Sequence, residues 1–135
     1  MRMPGPFTLS KDERLKHKKD IDTLFLQGKA FFIFPYKVLY LFRSPEANSV
    51  SEIKFGIAVP KRSFKRAVDR NYLKRISREL YRLQKPRLKE PLTCSINLML
   101  VYTHTEKKSF HELQPVVSKI IDRLILASEK EQTSD

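Results

Sequence analysis

Between Arg66 and Leu83 cations and apolar side chains recur with helical period, and no other stretch restricts the fold as tightly. At about 100° per residue, Val68, Tyr72, Leu73, Ile76, Leu80 and Leu83 fall within an arc of about 140°. Arg66, Arg70, Lys74, Arg75, Arg78 and Arg82 occupy the opposite half. A helix of this kind must seat its apolar arc on another layer and leave its cations outside. Like charges spaced at 66, 70, 74, 78 and 82 weaken an isolated helix by a few tenths of a kcal/mol per pair. A negatively charged partner removes that penalty.

The surrounding charge points the same way. The 135 residues hold 27 Lys and Arg against 15 Asp and Glu, a net +12. Twelve of the basic and three of the acidic residues lie between Lys61 and Glu90, giving +9 in thirty residues. The other 105 carry fifteen basic and twelve acidic residues, or +3. Such concentration repels itself until a polyanion neutralises it, and counterion release then favours the complex. Nucleic acid is the implied partner. Arginines at every fourth position track phosphates more than they read base edges, which weighs against a DNA recognition helix. A ribosomal or other structural RNA-binding protein would share this helix.

Catalytic signals are missing. His17, His104 and His111 lack zinc-ligand spacing, Cys94 is the one cysteine and reads as a strand thiol, and three glycines make no phosphate loop. No nucleophile–base set or carboxylate cluster for two metals is evident, which argues against a protein-only nuclease. No run approaches the ~20 apolar residues of a membrane span, and the N-terminus lacks a signal-peptide core. The chain reads as a cytosolic single domain over residues 1–135. Its ordered core should cover about 7–128, with flexible ends at 1–6 and 129–135.

The other segments supply the layers. Ser10 to Glu13 matches a capping box before a helical pattern that ends at Gln27 and Gly28. Lys16 to Lys19 can interrupt it, leaving a helix from about Lys18. The aromatic run Phe31 to Phe42 should pair from Tyr36 onward, because Pro35 has no N–H. Alternation puts Tyr36, Val38, Tyr40 and Phe42 on one face and Lys37, Leu39 and Leu41 on the other. A polar loop from Arg43 to Glu52 leads to a strand over Lys54–Val59, expected to pair antiparallel with the first. Pro86 and Pro91 bracket a basic linker to a third strand, Ser95–Tyr102. A second capping box, Ser109 to Glu112, opens a helix striped by Leu113, Val116, Val117, Ile120, Ile121, Leu124 and Ile125, and Pro115 should trim or kink its first turn. The order αββαβα describes an α/β (α+β) sandwich, a small sheet with helices on it. Phe31, Phe32, Phe34, Phe42, Phe55 and Phe64 are read as core, and Glu79 as a salt-bridge partner of Arg75 or Arg82.

The segment Lys61 to Leu80 resembles the signature of the ribonuclease P protein family. Ala67-Val68, Arg70-Asn71, Lys74-Arg75, Arg78 and Glu79 stand at matching positions, directly after Lys54-Phe55-Gly56-Ile57-Ala58-Val59-Pro60-Lys61, which looks like the family's strand. Arg14-Leu15 and Leu24-Phe25-Leu26-Gln27-Gly28 are similar as well, so the likeness runs in order over roughly residues 7–128. The resemblance implies a left-handed βαβ crossover, against the ~98% right-handed rule. It implies an accessory subunit of an endoribonuclease that trims the 5′ leader of precursor tRNA. Catalysis and Mg²⁺ would then belong to the RNA subunit, with no cofactor on the protein and no obligate protein partner. The implied RNA-binding residues are Lys61, Arg62, Lys65, Arg66, Arg70, Asn71, Lys74, Arg75 and Arg78, Asn71 being suited to bond a phosphate or ribose. The implied leader cleft comprises Ile21, Phe25, Tyr36 and Tyr40, with Phe42 beside them. Tyr72 stands where the family motif usually has Arg, at the edge of the apolar arc.

Overall fold

The computed structural model describes residues 13–44 and 52–133, with only the backbone described for 131–133. Three helices and four strands follow one another as α1 (Lys18–Gln27), β1 (Lys29–Ile33), β2 (Tyr36–Arg43), β3 (Ile53–Ala58), α2 (Ala67–Lys89), β4 (Ser95–Tyr102) and α3 (Phe110–Thr133). One sheet orders the strands β1-β2-β4-β3; β3 runs parallel to β4 and the other neighbours are antiparallel. The mixed α/β class read from the sequence holds. The sheet has one strand more than expected.

That strand lies in the aromatic run. Residues 29–33 fold back through Phe34–Pro35, a cis peptide bond, so that Lys29 faces Tyr40 and Ile33 faces Tyr36. Tyr36 does open the second strand. Pro35 cannot donate, but its carbonyl accepts bonds from the Thr103 N–H and hydroxyl, both at 2.9 Å.

The expected antiparallel pairing of the strands at 36–43 and 53–58 does not occur, because β4 lies between them. Seven of its eight residues are buried, as a central strand flanked on both sides requires. The polar connection expected over Arg43–Glu52 falls mostly on residues 45–51, outside the described residues.

Alternation sorts the two faces as expected. Tyr36, Val38, Ile96, Leu98, Leu100 and Tyr102 join Phe55 under α2 and α3 in the main core. On the opposite face Leu39 and Met99 pack with Leu24 of α1 and with Leu15, and Ile21 and Leu41 lie against them. Of the first capping box, Ser10 to Asp12 lie outside the described residues. The helix itself begins at Lys18, after the anticipated interruption. Leu15 instead donates its N–H to the Phe55 carbonyl at 2.8 Å, so the N-terminal segment runs along β3. At Gly28 a Cβ would lie 2.4 Å from the Leu24 carbonyl oxygen, so only glycine turns the chain so closely from α1 into β1.

Pro86 and Pro115 both sit inside helices. α2 passes Pro86 and reaches Lys89, so the expected linker shrinks to a short turn. Three tertiary anchors hold that last stretch: Leu88 is fully buried, Lys85 pairs with Glu13 at 2.7 Å, and Arg87 pairs with Asp122. α3 starts at Phe110 ahead of Pro115, its first turn held by the second capping box. There Ser109 Oγ accepts the Glu112 N–H at 3.2 Å and donates to the Glu112 carboxylate at 3.3 Å.

Candidate nucleic-acid interface

The basic wall is built on the turn after β3. Ser63 and Phe64 donate their N–H groups to the Pro60 carbonyl, and Phe64 is buried. This tight turn leaves Lys61, Arg62, Lys65 and Arg66 exposed around the start of α2. Arg70 reaches back to donate to the Phe64 and Lys65 carbonyls at 2.7 and 2.9 Å. Its guanidinium braces the turn while keeping its charge. Asn71, Arg75 and Arg78 are exposed one or two turns further on, and Lys74 is half-buried beside them.

Ion pairing divides the helix. Among the described residues no carboxylate lies within salt-bridge distance of Lys61, Arg62, Lys65, Arg66, Arg70, Lys74, Arg75 or Arg78. The acidic residues that could have neutralised them are engaged elsewhere. Asp69 pairs with Lys107 at 2.9 Å, and Glu79 pairs with Arg82, one of the two partners expected for it. Hydrogen bonding from Arg82 holds the Glu79 carboxyl below its ordinary range. Beyond Arg78, Arg82, Lys85 and Arg87 serve the fold, since each has a carboxylate partner. The first half of the helix therefore presents uncompensated positive charge to the outside.

The opposite side of α2 is anchored. Leu73, Ile76, Leu80 and Leu88 enter the core, and Tyr81 stacks flat on Phe55 with centroids 4.0 Å apart. Ser77 Oγ and the Tyr36 hydroxyl are 2.6 Å apart, fixing α2 against β2. The buried line is thus rotated from the one expected. Val68 and Leu83, read as part of the apolar arc, are 60% and 41% exposed. Tyr72 lies at the arc's edge as expected, its ring against the core and flanked by Arg75 and Lys107 at 5.8 and 5.4 Å.

The expected aromatic cleft is not assembled from the residues named for it. Ile21 and Phe25 belong to α1, on one face of the sheet, whereas Tyr36 and Tyr40 point to the other. Tyr36 has no exposed surface, so it offers no face to a base. Alternation had already put the two phenols on one face; what it lacked was which face α1 covers. Phe42 shares the side of Tyr40.

On the α1 face the sheet presents a different row. Phe32, Lys37, Val101 and Ala58 are neighbours across all four strands. Phe32 is 54% exposed and Lys37 is exposed, while Val101 and Ala58 are half-buried. Phe25 is also exposed on this side. At the hairpin tip Phe34, 50% exposed, packs edge-on against His104 with Lys108 5.7 Å above its ring. Phe32 and Phe34 were read as core. They escape burial because α1 packs over the middle of β2 and β4, at Leu39 and Met99, and leaves β1 and the hairpin tip uncovered.

These features agree with known proteins. The family model for ribonuclease P matches residues 9–125. The chain belongs to the ribonuclease P protein family. It is similar to the ribonuclease P protein component of Porphyromonas gingivalis, 42% identical over 92 residues that make up 68% of this chain and 66% of that protein's length. It is 30% identical to the component from Dictyoglomus turgidum over 88% of this chain and 94% of that one. The ribonuclease P protein structures of Staphylococcus aureus (TM-score 0.63, 17% identity, 82% and 93% of the two chains) and Thermotoga maritima (0.62, 23%, 82% and 96%) share its fold.

The cations of α2 and the exposed rings on the α1 face offer this ribonuclease P family protein electrostatic and stacking contacts. Among the described residues no three His, Cys, Asp or Glu side chains gather as a metal site, and no helix is long and apolar enough to cross a membrane. Burial pushes the Tyr36 and Tyr102 phenols up to about 12 and the Tyr81 phenol higher still, so all three stay neutral near pH 7.

Proposed function

We propose that this chain is the protein subunit of a cytoplasmic ribonuclease P, binding the catalytic RNA through the first half of α2 and the preceding turn. The observation that carries this reading is the set of cations from Lys61 to Arg78 without carboxylate partners among the described residues. Folded RNA supplies the phosphates such a surface lacks. Asn71, exposed among these cations, adds a neutral donor and acceptor for a phosphate or ribose. The protein performs no bond-breaking step: the RNA subunit holds Mg²⁺ and directs water at the phosphodiester, while the protein screens phosphate repulsion.

The second role is to hold the 5′ leader of precursor tRNA on the α1 face. Phe32 and Phe25 supply exposed rings, Lys37 a cation and Ile21 an apolar flank. Stacking on rings suits a strand of varied sequence, because every base has a π-face. Tyr36 is withdrawn from this role by its burial, and Tyr40 by its face.

Reconstitution with a bacterial ribonuclease P RNA at low Mg²⁺ tests the reading. Addition of the protein should accelerate cleavage of precursor tRNA, and precursor affinity should rise as the leader grows by a few nucleotides. A protein that binds the RNA without stimulating cleavage would instead be a structural RNA-binding protein.

A further inference from the structure

On the face away from α1, the β1–β2 hairpin and the C-terminal part of α3 enclose a groove of about 360 Å³. Three rings form its floor. Phe31 and Tyr40 have centroids 5.8 Å apart, and Tyr40 and Phe42 are 5.5 Å apart. The Arg123 guanidinium lies 4.3 Å from the Phe31 centroid, and Lys29 and Lys130 add positive charge at the rim. Among the described residues that line the groove there is no Asp or Glu. Tight aromatic contacts would suffice for burial, yet here they remain half-open under a cation.

We propose that this groove is a second RNA site, which receives one unpaired nucleotide of a bound strand. The volume lies near the lower end of the ~300–1,000 Å³ typical of ligand pockets. It suits one nucleotide and excludes a duplex. The rings take the base by stacking, and Arg123 takes the adjoining phosphate, a division of labour that single-strand sites share. An apolar peptide would satisfy the rings but would leave the Arg123 guanidinium facing it. The groove sits beside β1, at the opposite sheet edge from β3, and so lies apart from the wall of α2. The proposal leans on the RNA-binding reading only for the source of the nucleotide.

The test is a titration of the full isotope-labelled chain with a penta-adenylate, followed by the amide signals of Leu126 and Ala127. Adenosine monophosphate and inorganic phosphate serve as comparison probes. Penta-adenylate should shift both signals in a saturable manner, and Arg123→Glu or Arg123→Gln should weaken this binding about tenfold. The unperturbed remainder of the spectrum verifies folding. Arg75→Ala and Arg78→Ala should leave the Leu126 and Ala127 response unchanged.

The proposal fails if those two signals stay still while amides of α2 move; the reading of α2 then survives. It also fails if inorganic phosphate alone saturates the site, if the monophosphate binds but the strand does not, or if a response appears only after residues 131–135 are removed. A saturable response at Ala127 in a protein with no affinity for ribonuclease P RNA would uphold the groove and sink the assigned function.

Discussion

Replacing Lys74, Arg75 and Arg78 together by Ala should change how RNA binding responds to salt by an amount that the ion-pair pattern fixes. None of the three has a carboxylate partner among the described residues, so each is available to displace a counterion. Each phosphate contact contributes roughly 0.7–0.9 to the slope of log affinity against log salt. Loss of three contacts should flatten that slope by about 2–2.7. Between 50 and 200 mM salt, where log salt changes by about 0.6, the natural protein should therefore lose about 15- to 40-fold more affinity than the variant. Fluorescence anisotropy on labelled ribonuclease P RNA measures both slopes. Glu79→Gln provides the opposite sign, because it releases Arg82 from its pair and should steepen the dependence by up to one contact. Circular dichroism should report an unchanged fold in both variants. If the triple variant kept the natural slope, these side chains would face solvent in the complex and the assignment of α2 as the RNA face would be wrong.

Other consequences follow from single contacts. Tyr36→Phe removes the buried bond to Ser77 and should cost about 1–3 kcal/mol in urea unfolding while leaving precursor affinity intact; a loss of affinity at constant stability would return Tyr36 to the binding surface. Tyr36 and Tyr102 are raised to about 12 in the folded protein from 10. Their contribution is thus fully present below pH 10 and is lost as pH rises toward 12. A urea midpoint that stayed level from pH 9 to 11 would contradict this. Phe32→Ala should weaken binding of a long-leader precursor by about 1–3 kcal/mol, and binding of mature tRNA hardly at all. Equal losses on both RNAs would remove Phe32 from the leader path.

The wall and the core were legible in the sequence because both obey periodicities that one element fixes by itself. Ile96, Leu98, Leu100 and Tyr102 alternate along β4, and Leu113, Val117, Ile120, Ile121 and Leu124 recur along α3. Partnership between elements was not legible. The turn at Phe34–Pro35 hid within an apolar run because it carries no Gly, Asn or Asp, so β1 went unseen. Strand order could not be had from loop length, since β4, which follows the whole of α2 in the chain, enters between β2 and β3. Pro86 misled in the same way: a local rule against helix was outweighed by Leu88 and by the Arg87 and Lys85 pairs, which are tertiary. The misplaced cleft has this origin too. Period 2 states that Tyr36 and Tyr40 share a face, but which helix covers that face depends on contacts made far along the chain.

β2 is the element on which both proposed RNA surfaces depend. Its Tyr36 and Val38 side chains seat α2 and α3, and its Leu39 and Leu41 seat α1, so the cationic wall and the face proposed for the leader lie on opposite sides of one sheet. Strand geometry then couples them: a slip of one residue would exchange every side chain between the two faces. The loop between β4 and α3 ties the two rims directly. Lys107 pairs with Asp69 of α2 and lies over Tyr72, while the next residue, Lys108, lies over Phe34 at the hairpin tip. A leader held on the α1 face, as proposed, would reach the cationic helix by passing the hairpin end of the sheet, where Phe34 and His104 stand exposed and half-exposed. Core substitutions in β2 will disturb both surfaces together, and only exposed positions such as Phe32 and Arg78 can separate the two roles.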